Sequence, residues 1–402
     1  MERNVPKLRF KGFNDEWKKE VISSICKLSS GSTPSKARKE YFNGTHLWVT
    51  SGELKNKYIY NTIDKITDKA IKNTNLKEYE IGSFIIAIYG LEAQGTRGSS
   101  AILGRKATIS QACMAIEPVK DIYSEFLYYW YAKYGDMIGI RYAQGTKQQN
   151  LSTDLVGNLK IIFPSLKEQE RITNFLTKVD KIIEKQDEKV KNLENYKKGM
   201  MQKIFSQEIR FKDENGKEYP EWQEYKLNEL CNFFSGGTPL TSKKEYYDGN
   251  IPFIRSAEIS SENTELTISE IGLNNSSAKM IQKGDLLYAL YGATSGEVSI
   301  SKLNGAINQA ILCIRSNRCN LIFLEKVLRN SKQNIIKTYL QGGQGNLSAN
   351  IIKELQYNFP CLDEQDKIAK FITKIDIILQ KEIDKLNELY NWKKGLLQQM
   401  FV

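Results

Sequence analysis

The chain says the same thing twice. Residues 195–205 read NYKKGMMQKIF and residues 391–401 read NWKKGLLQQMF, with six of eleven positions identical at one constant offset. The duplication extends through the whole sequence. Trp17 to Leu54 aligns without a gap on Trp222 to Ile259. Within that stretch Ser30-Gly31-Ser32-Thr33-Pro34 matches Ser235-Gly236-Gly237-Thr238-Pro239, and Glu40-Tyr41-Phe42-Asn43-Gly44 matches Glu245-Tyr246-Tyr247-Asp248-Gly249. Further on, Tyr89-Gly90 matches Tyr291-Gly292, Gln144-Gly145 matches Gln341-Gly342, and Asn150-Leu151-Ser152 matches Asn346-Leu347-Ser348. Phe163-Pro164 and Phe359-Pro360 close the two copies, and Leu8-Arg9-Phe10 and Ile209-Arg210-Phe211 each stand a few residues before a tryptophan. A duplication in conserved order constrains the fold more than any local pattern, because each copy must build the same unit. Between the anchors the halves differ in sequence and length. Either an old duplication has drifted, or one scaffold presents two different surfaces. Drift would erode frame and filling alike, which favours the second reading.

Each half opens with short apolar runs broken by Gly, Asn and Ser. SFIIAIYG and DLLYALYG read as buried strands, and EFLYYWYAKYG and LEKVLRNSKQNIIKTYL as helices by spacing. Each globular part is therefore expected to be α+β. After each Phe-Pro the pattern changes, and residues 167–205 and 363–401 hold no proline and one glycine each. The domains implied are 1–165 and 206–361, with helices at 166–205 and 362–402.

The seam of the first helix falls at Ile172, Leu176, Val179, Ile183, Gln186, Val190, Leu193, Lys197, Met200 and Ile204, in alternating steps of four and three. The second repeats those steps at Ile368, Ile372, Ile375, Leu379, Glu382, Leu386, Leu389, Lys393, Leu396 and Met400. A sustained 3.5-residue period indicates a coiled coil. A near-twofold relation between the halves makes the pair antiparallel, with a span of about 58 Å at 1.5 Å per residue. Gln186, Glu382, Lys197 and Lys393 interrupt the apolar seam at matching places. They either fix register or sit at a solvated edge. Gly199 and Gly395 imply close approach of a neighbouring helix or partner, with a helix cap as the alternative.

Net charge is +11. The stretches 167–205 and 363–402 contribute +3 and zero, so the excess basic charge lies in the globular parts. There, loop-like stretches join basic and amide residues. The candidates for DNA contact are Thr33, Lys36, Arg38, Tyr89, Arg97, Gln144, Thr146, Lys147 and Gln148 in the first half. In the second they are Thr238, Lys243, Lys244, Arg255, Tyr291, Gln341, Gln344 and Asn346. Lys and Arg neutralise phosphates, Arg can grip guanine, and Gln or Asn can pair with adenine. Any one of these taken singly also fits a solvated loop.

Catalytic signatures are missing. The single histidine, His46, is replaced by Ile251 in the other copy, which argues against a histidine triad or a His-Cys-Asp metal site. No G-x-x-x-x-G-K-[ST] loop occurs. Asp363-Glu364 lie at a helix start, where acids suit the dipole. Six cysteines without a CxxC pair read as reduced core thiols. With no long apolar run and no signal-peptide pattern, a cytoplasmic protein with no membrane contact is expected.

On these residues the sequence resembles the specificity subunit of type I restriction-modification enzymes. The resemblance rests on the duplicated Ser-Gly-x-Thr-Pro, Tyr-Gly, Gln-Gly then Asn-Leu-Ser, Phe-Pro before Glu168-Gln169 or Glu364-Gln365, and Lys-Lys-Gly, in that order. It implies two target-recognition domains separated by two long helices in an antiparallel coiled coil with a pseudo-twofold repeat. It further implies a non-catalytic reader of double-stranded DNA whose partners are two methyltransferase and two motor-nuclease restriction subunits. S-adenosylmethionine, ATP and Mg would belong to those partners, with no cofactor on this chain. Tyr196, Lys197, Lys198, Trp392, Lys393 and Lys394 are candidates for partner docking. The rival readings are a single-chain DNA-modifying enzyme and an adaptor whose coiled coil binds only proteins.

Overall fold

The computed structural model describes residues 4–74, 76–91, 96–143, 150–340 and 346–402. It divides into two compact units, one of residues 1–188 with 383–402, the other of residues 189–382.

In the first unit the all-apolar run Phe84–Ala87 is buried at every position, as a strand covered on both faces must be. It pairs antiparallel with Cys113–Pro118 and with Ser100–Leu103. Cys26–Ser30 extends the sheet beyond Cys113–Pro118, and Tyr58–Ile59 adds a parallel edge strand beside Ser100–Leu103. A second sheet is built around Phe42–Val49, which runs parallel to Ala107–Ile109. Lys18–Val21 pairs with Lys160–Phe163 and so joins the two ends of the globular part. The flank helix Ser124–Tyr142 buries Phe126, Leu127, Tyr129, Trp130 and Tyr131 in the main core.

The second unit repeats this plan. Leu286–Ala289 is the fully buried central strand, between Ile311–Arg315 and Val298–Ile300. Tyr247–Ile254 runs parallel to Gly305–Ile307 in the second sheet. Gln223–Lys226 pairs with Gln356–Phe359, and Leu321–Leu340 is the flank helix. The first unit's parallel edge strand has no partner copy among the described residues here.

The repeated glycines belong to this frame. A Cβ on Gly31 would lie 2.2 Å from Ile109 O, and one on Gly236 would lie 1.8 Å from Ile307 O. Only a residue without a side chain lets those segments cross.

The two long helices are Leu166–Phe205 and Leu362–Met400. In the first unit, Ile172, Leu176, Val179 and Ile183 share one core with Leu396, Leu397 and Met400. In the second, Met201 and Ile204 share a core with Ile368 and Ile372. Within each unit the helical segments therefore run antiparallel. The steps of four and three place Met200 and Leu396 on the seam. The structure buries Met201 rather than Met200, and Leu397 together with Leu396. The glycine expectation needs correcting for the helices themselves: a Cβ on Gly199 or Gly395 would meet no described atom within 4 Å.

Glu364 also does more than favour a helix dipole. It is buried and receives Arg210 Nη2 at 2.9 Å and Trp222 Nε1 at 3.2 Å. In the first unit Arg9 donates twice to buried Glu168, at 2.7 and 2.8 Å. The adjacent Gln169 and Gln365 donate to Pro164 O and Pro360 O and accept from the backbone N–H of Tyr123 and Asn320. The Arg, Phe-Pro and Glu-Gln motifs thus form one clasp that ties each leading segment and flank helix to the start of a long helix.

Candidate nucleic-acid interface

Motifs far apart in sequence meet at one end of the strands in each unit. In the first, Gly31 N donates to Cys113 O and Ser32 N to Ile109 O, both at 3.1 Å. Ile88 N donates to Ala112 O and Leu151 N to Ile88 O, both at 2.9 Å, and Tyr89 bridges to Asn150. Ser-Gly-x-Thr-Pro, Tyr-Gly and Asn-Leu-Ser therefore form a single patch. In the second unit Leu290 N donates to Ala310 O at 2.8 Å, Leu347 N donates to Leu290 O at 2.9 Å, and Tyr291 bridges to Asn346.

The patch also brings one glutamine of each unit, absent from the candidates above, onto the motif threonine. Thr33 Oγ1 accepts from Gln111 N at 3.3 Å, and Thr238 Oγ1 donates to Gln309 Oε1 at 2.8 Å. Both glutamines are exposed. The signal was present in the duplication, since Ile109-Ser110-Gln111-Ala112 matches Ile307-Asn308-Gln309-Ala310.

The basic candidates divide by their partners. Lys36 and Lys244 are exposed. Arg38 lies over the Tyr41 ring at 5.5 Å and donates to its hydroxyl at 2.8 Å. Lys243 does the same on Tyr246, at 5.1 and 3.1 Å. These two occupy equivalent places and are held on a tyrosine with the cation outward-lying. Arg97 packs along Gly139 of the flank helix and donates from Nε to Asp136 at 2.7 Å. Arg255 is taken up by Glu258, at 3.1 and 3.2 Å, and by Glu265. Its equivalent is Thr50, whose backbone N–H donates to Glu53 at 2.8 Å as that of Arg255 does to Glu258 at 3.1 Å. Arg255 therefore acts first as a local brace, with most of its donors occupied. Tyr89 and Tyr291 are half-buried, Thr33 is half-buried, and Thr238 and Asn346 are exposed. Gln144, Thr146, Lys147, Gln148, Gln341 and Gln344 lie outside the described residues.

On the long helices Tyr196 and Trp392 are 51% and 46% exposed, and Lys198 and Lys394 are exposed as well. Lys197 and Lys393 face inward instead. Lys393 Nζ lies 2.6 Å from Asp180, which also accepts from Tyr129 Oη at 2.6 Å. Lys57 donates to Tyr129 Oη at 3.0 Å and to Thr177 at 2.7 Å, and burial lowers its ammonium pKa against the pull of Asp180. In the second unit Lys197 lies 2.5 Å and Lys326 2.8 Å from Asp376. Burial alone would raise the Asp376 carboxyl, but hydrogen bonds from Lys197 and Lys326 outweigh it and hold the group below the usual carboxylate range. The two seam lysines are thus junctions between helix pair and flank helix, not a solvated edge, while Glu382 pairs with Lys189 of the other long helix at 2.7 Å.

Among the described residues no group of three or more His, Cys, Asp or Glu is placed to hold a metal ion. His46 sits between Asp68, at 2.9 Å, and Glu78, at 3.2 Å. No helix among the described residues is long and apolar enough to cross a membrane.

Residues 14–195 and 219–389 both match the type I restriction modification DNA specificity domain. The chain belongs to that family. It is a type I restriction-modification specificity subunit with two DNA-recognition domains. The MjaIX type I restriction enzyme specificity subunit of Methanocaldococcus jannaschii is 24% identical, over 94% of this chain and 90% of that protein. The MjaVIII specificity subunit of the same organism is 21% identical over 98% and 94%. The crystal structure of a type I S subunit from M. genitalium has the same fold, with a TM-score of 0.62 over 99% of both chains at 17% identity.

Proposed function

We propose that each recognition domain of this specificity subunit reads one half of a bipartite, asymmetric DNA target. The observation that carries this is the patch built twice from the same motifs and filled differently. Thr33 and Thr238, Gln111 and Gln309, and Tyr89 and Tyr291 are the shared frame. Ser35 and Ala37 against Leu240 and Ser242, all exposed, are the differing neighbours. Shared residues suit what both half-sites have in common, including the phosphate backbone, while differing residues suit differing bases. The chain itself performs no chemistry in this reading. It recruits methyltransferase and restriction subunits, which carry S-adenosylmethionine, ATP and Mg, for adenine N6 methylation or cleavage. Methylation within a duplex requires an extruded adenine, so this chain's share is to grip the flanking bases. The exposed Tyr196, Lys198, Trp392 and Lys394 are the proposed docking residues, in a cytoplasmic complex.

The test is co-expression with the methyltransferase partner in a methylation-free host, with N6-methyladenine mapped by single-molecule sequencing. One split, asymmetric motif that is absent without this chain is expected. Replacing residues 206–360 by another recognition domain changes one half-motif and leaves the other. An active complex with no split motif would overturn the reading.

A further inference from the structure

Cys231 and Cys319 of the second unit bring their sulfurs to 3.7 Å. Both residues are buried, at 8% and 5% exposure. They come from separate parts of the fold. Cys231 follows the short helix Leu227–Leu230 at the foot of the strand Asn232–Ser235, which leads directly into Gly236 and Thr238. Cys319 lies in the loop before the flank helix Leu321–Leu340. That loop is clasped to the short helix without help from the thiols. Ser316 Oγ donates to Leu230 O at 2.6 Å, Arg318 Nη1 donates to Glu229 O at 2.8 Å, and Cys319 N donates to Ser316 Oγ at 3.0 Å. The backbone on both sides is thus already fixed. The sulfurs need only ~1.7 Å of closure to reach a disulfide of about 2.05 Å. The first unit has Cys26 and Ile122 at the equivalent places, so it cannot make this bond.

We infer that Cys231 and Cys319 are a modification site, which a peroxide converts to a disulfide that staples the base of the second recognition domain. The chemistry balances within the pair. The Cys319 sulfur, as thiolate, attacks one oxygen of hydrogen peroxide. The O–O bond breaks, and the departing hydroxide leaves as water with the proton from the Cys319 thiol. The Cys231 sulfur then attacks the resulting sulfenic acid. The S–S bond forms, the S–O bond breaks, and hydroxide leaves as a second water with the Cys231 proton. Two thiols are oxidised by two electrons in total, and one peroxide is reduced to two waters. The hydrogen bond between the two sulfurs favours the Cys319 thiolate against the effect of burial. The chemistry balances equally with the two sulfurs exchanged.

The cross-link joins residues 88 apart in sequence and removes conformations from the unfolded chain. The thermal midpoint of the second unit is expected to rise by roughly 5–10 °C. The test uses the full chain, treated with hydrogen peroxide, quenched, and labelled with maleimide in denaturant. Of the six thiols present, two should be lost, with one peptide pair linking Cys231 to Cys319 and recovery on adding dithiothreitol. Calorimetry of the unmutated chain with and without dithiothreitol reads the shift. C231S and C319S should lose the peroxide-dependent shift, and C26S should keep it. The inference is overturned if all six thiols survive peroxide in the native chain, if the linkage involves another cysteine, or if the disulfide forms and the midpoint does not move. None of these outcomes depends on DNA recognition.

Discussion

Lys393 and Lys197 stand where a coiled coil normally carries an apolar side chain, and each is matched by an aspartate on the other helix of its unit. Asp180 and Lys393 are 12% and 22% exposed, so their pairing is worth more than a surface ion pair and less than a fully dry one. Lys393→Met would leave Asp180 with Tyr129 as its remaining close donor. We expect a loss of about 1–3 kcal/mol, read by denaturant titration. Asp180→Asn in the same chain should recover part of that loss, and the double-mutant cycle measures the coupling. Asp376 gives a pH signature. Its carboxyl titrates lower in the folded chain than in the unfolded chain, so its contribution is fully present above the unfolded value near pH 4 and disappears as pH falls through the folded value. Stability of the second unit should therefore fall on acidification below about pH 4, and Asp376→Asn should flatten that part of the profile. Sequence periodicity located the two lysines. It could not show their partners, because Asp180 and Asp376 lie on the other long helix, and the Tyr129 and Lys326 that share those carboxylates come from flank helices some fifty residues away from them.

The elements were legible where a period or a fully apolar run sustained them. SFIIAIYG and DLLYALYG yielded the buried strands, and the two long helices lie where proline vanishes and apolar residues repeat. Glycine was harder to interpret. Gly199 and Gly395 sit in a repeated motif yet a Cβ on either would meet no described atom within 4 Å, whereas Gly31 and Gly236 are crowded by a neighbouring strand's carbonyl. Repetition alone does not distinguish a tight crossing from an open notch, since that depends on which distant segment lies opposite. The same limit hid Gln111 and Gln309, whose importance comes from meeting Thr33 and Thr238 in space. Gly236→Ala is a direct test at this scale. The new methyl would overlap Ile307 O and push the Thr238 loop from its strand, at a cost of about 1–3 kcal/mol. Methylation mapping should show loss at the second half-motif's requirement before the first is affected. An unchanged melting profile and motif would mean that the loop adapts freely.

At the scale of the whole molecule the governing quantity is charge. The chain carries +11, and the segments 167–205 and 363–402 account for only +3 of it. Phosphate contact releases counterions, so affinity should fall with salt at a slope of about −0.9 for each phosphate neutralised. The lysines and arginines do not contribute equally to that slope. Lys36 and Lys244 are exposed, so Lys36→Gln and Lys244→Gln should each reduce its magnitude by about 1 while leaving the methylated motif unchanged. Arg255 should behave otherwise, because Glu258 and Glu265 already offset its charge. Arg255→Gln should lower the thermal midpoint of the second unit and hardly alter the slope. The measurement is binding of the proposed complex with a methyltransferase subunit to target DNA across a salt series, with calorimetry alongside. If Arg255→Gln reduced the slope as much as Lys244→Gln does, the carboxylate brace would have to open on DNA, and Arg255 would count among the phosphate contacts.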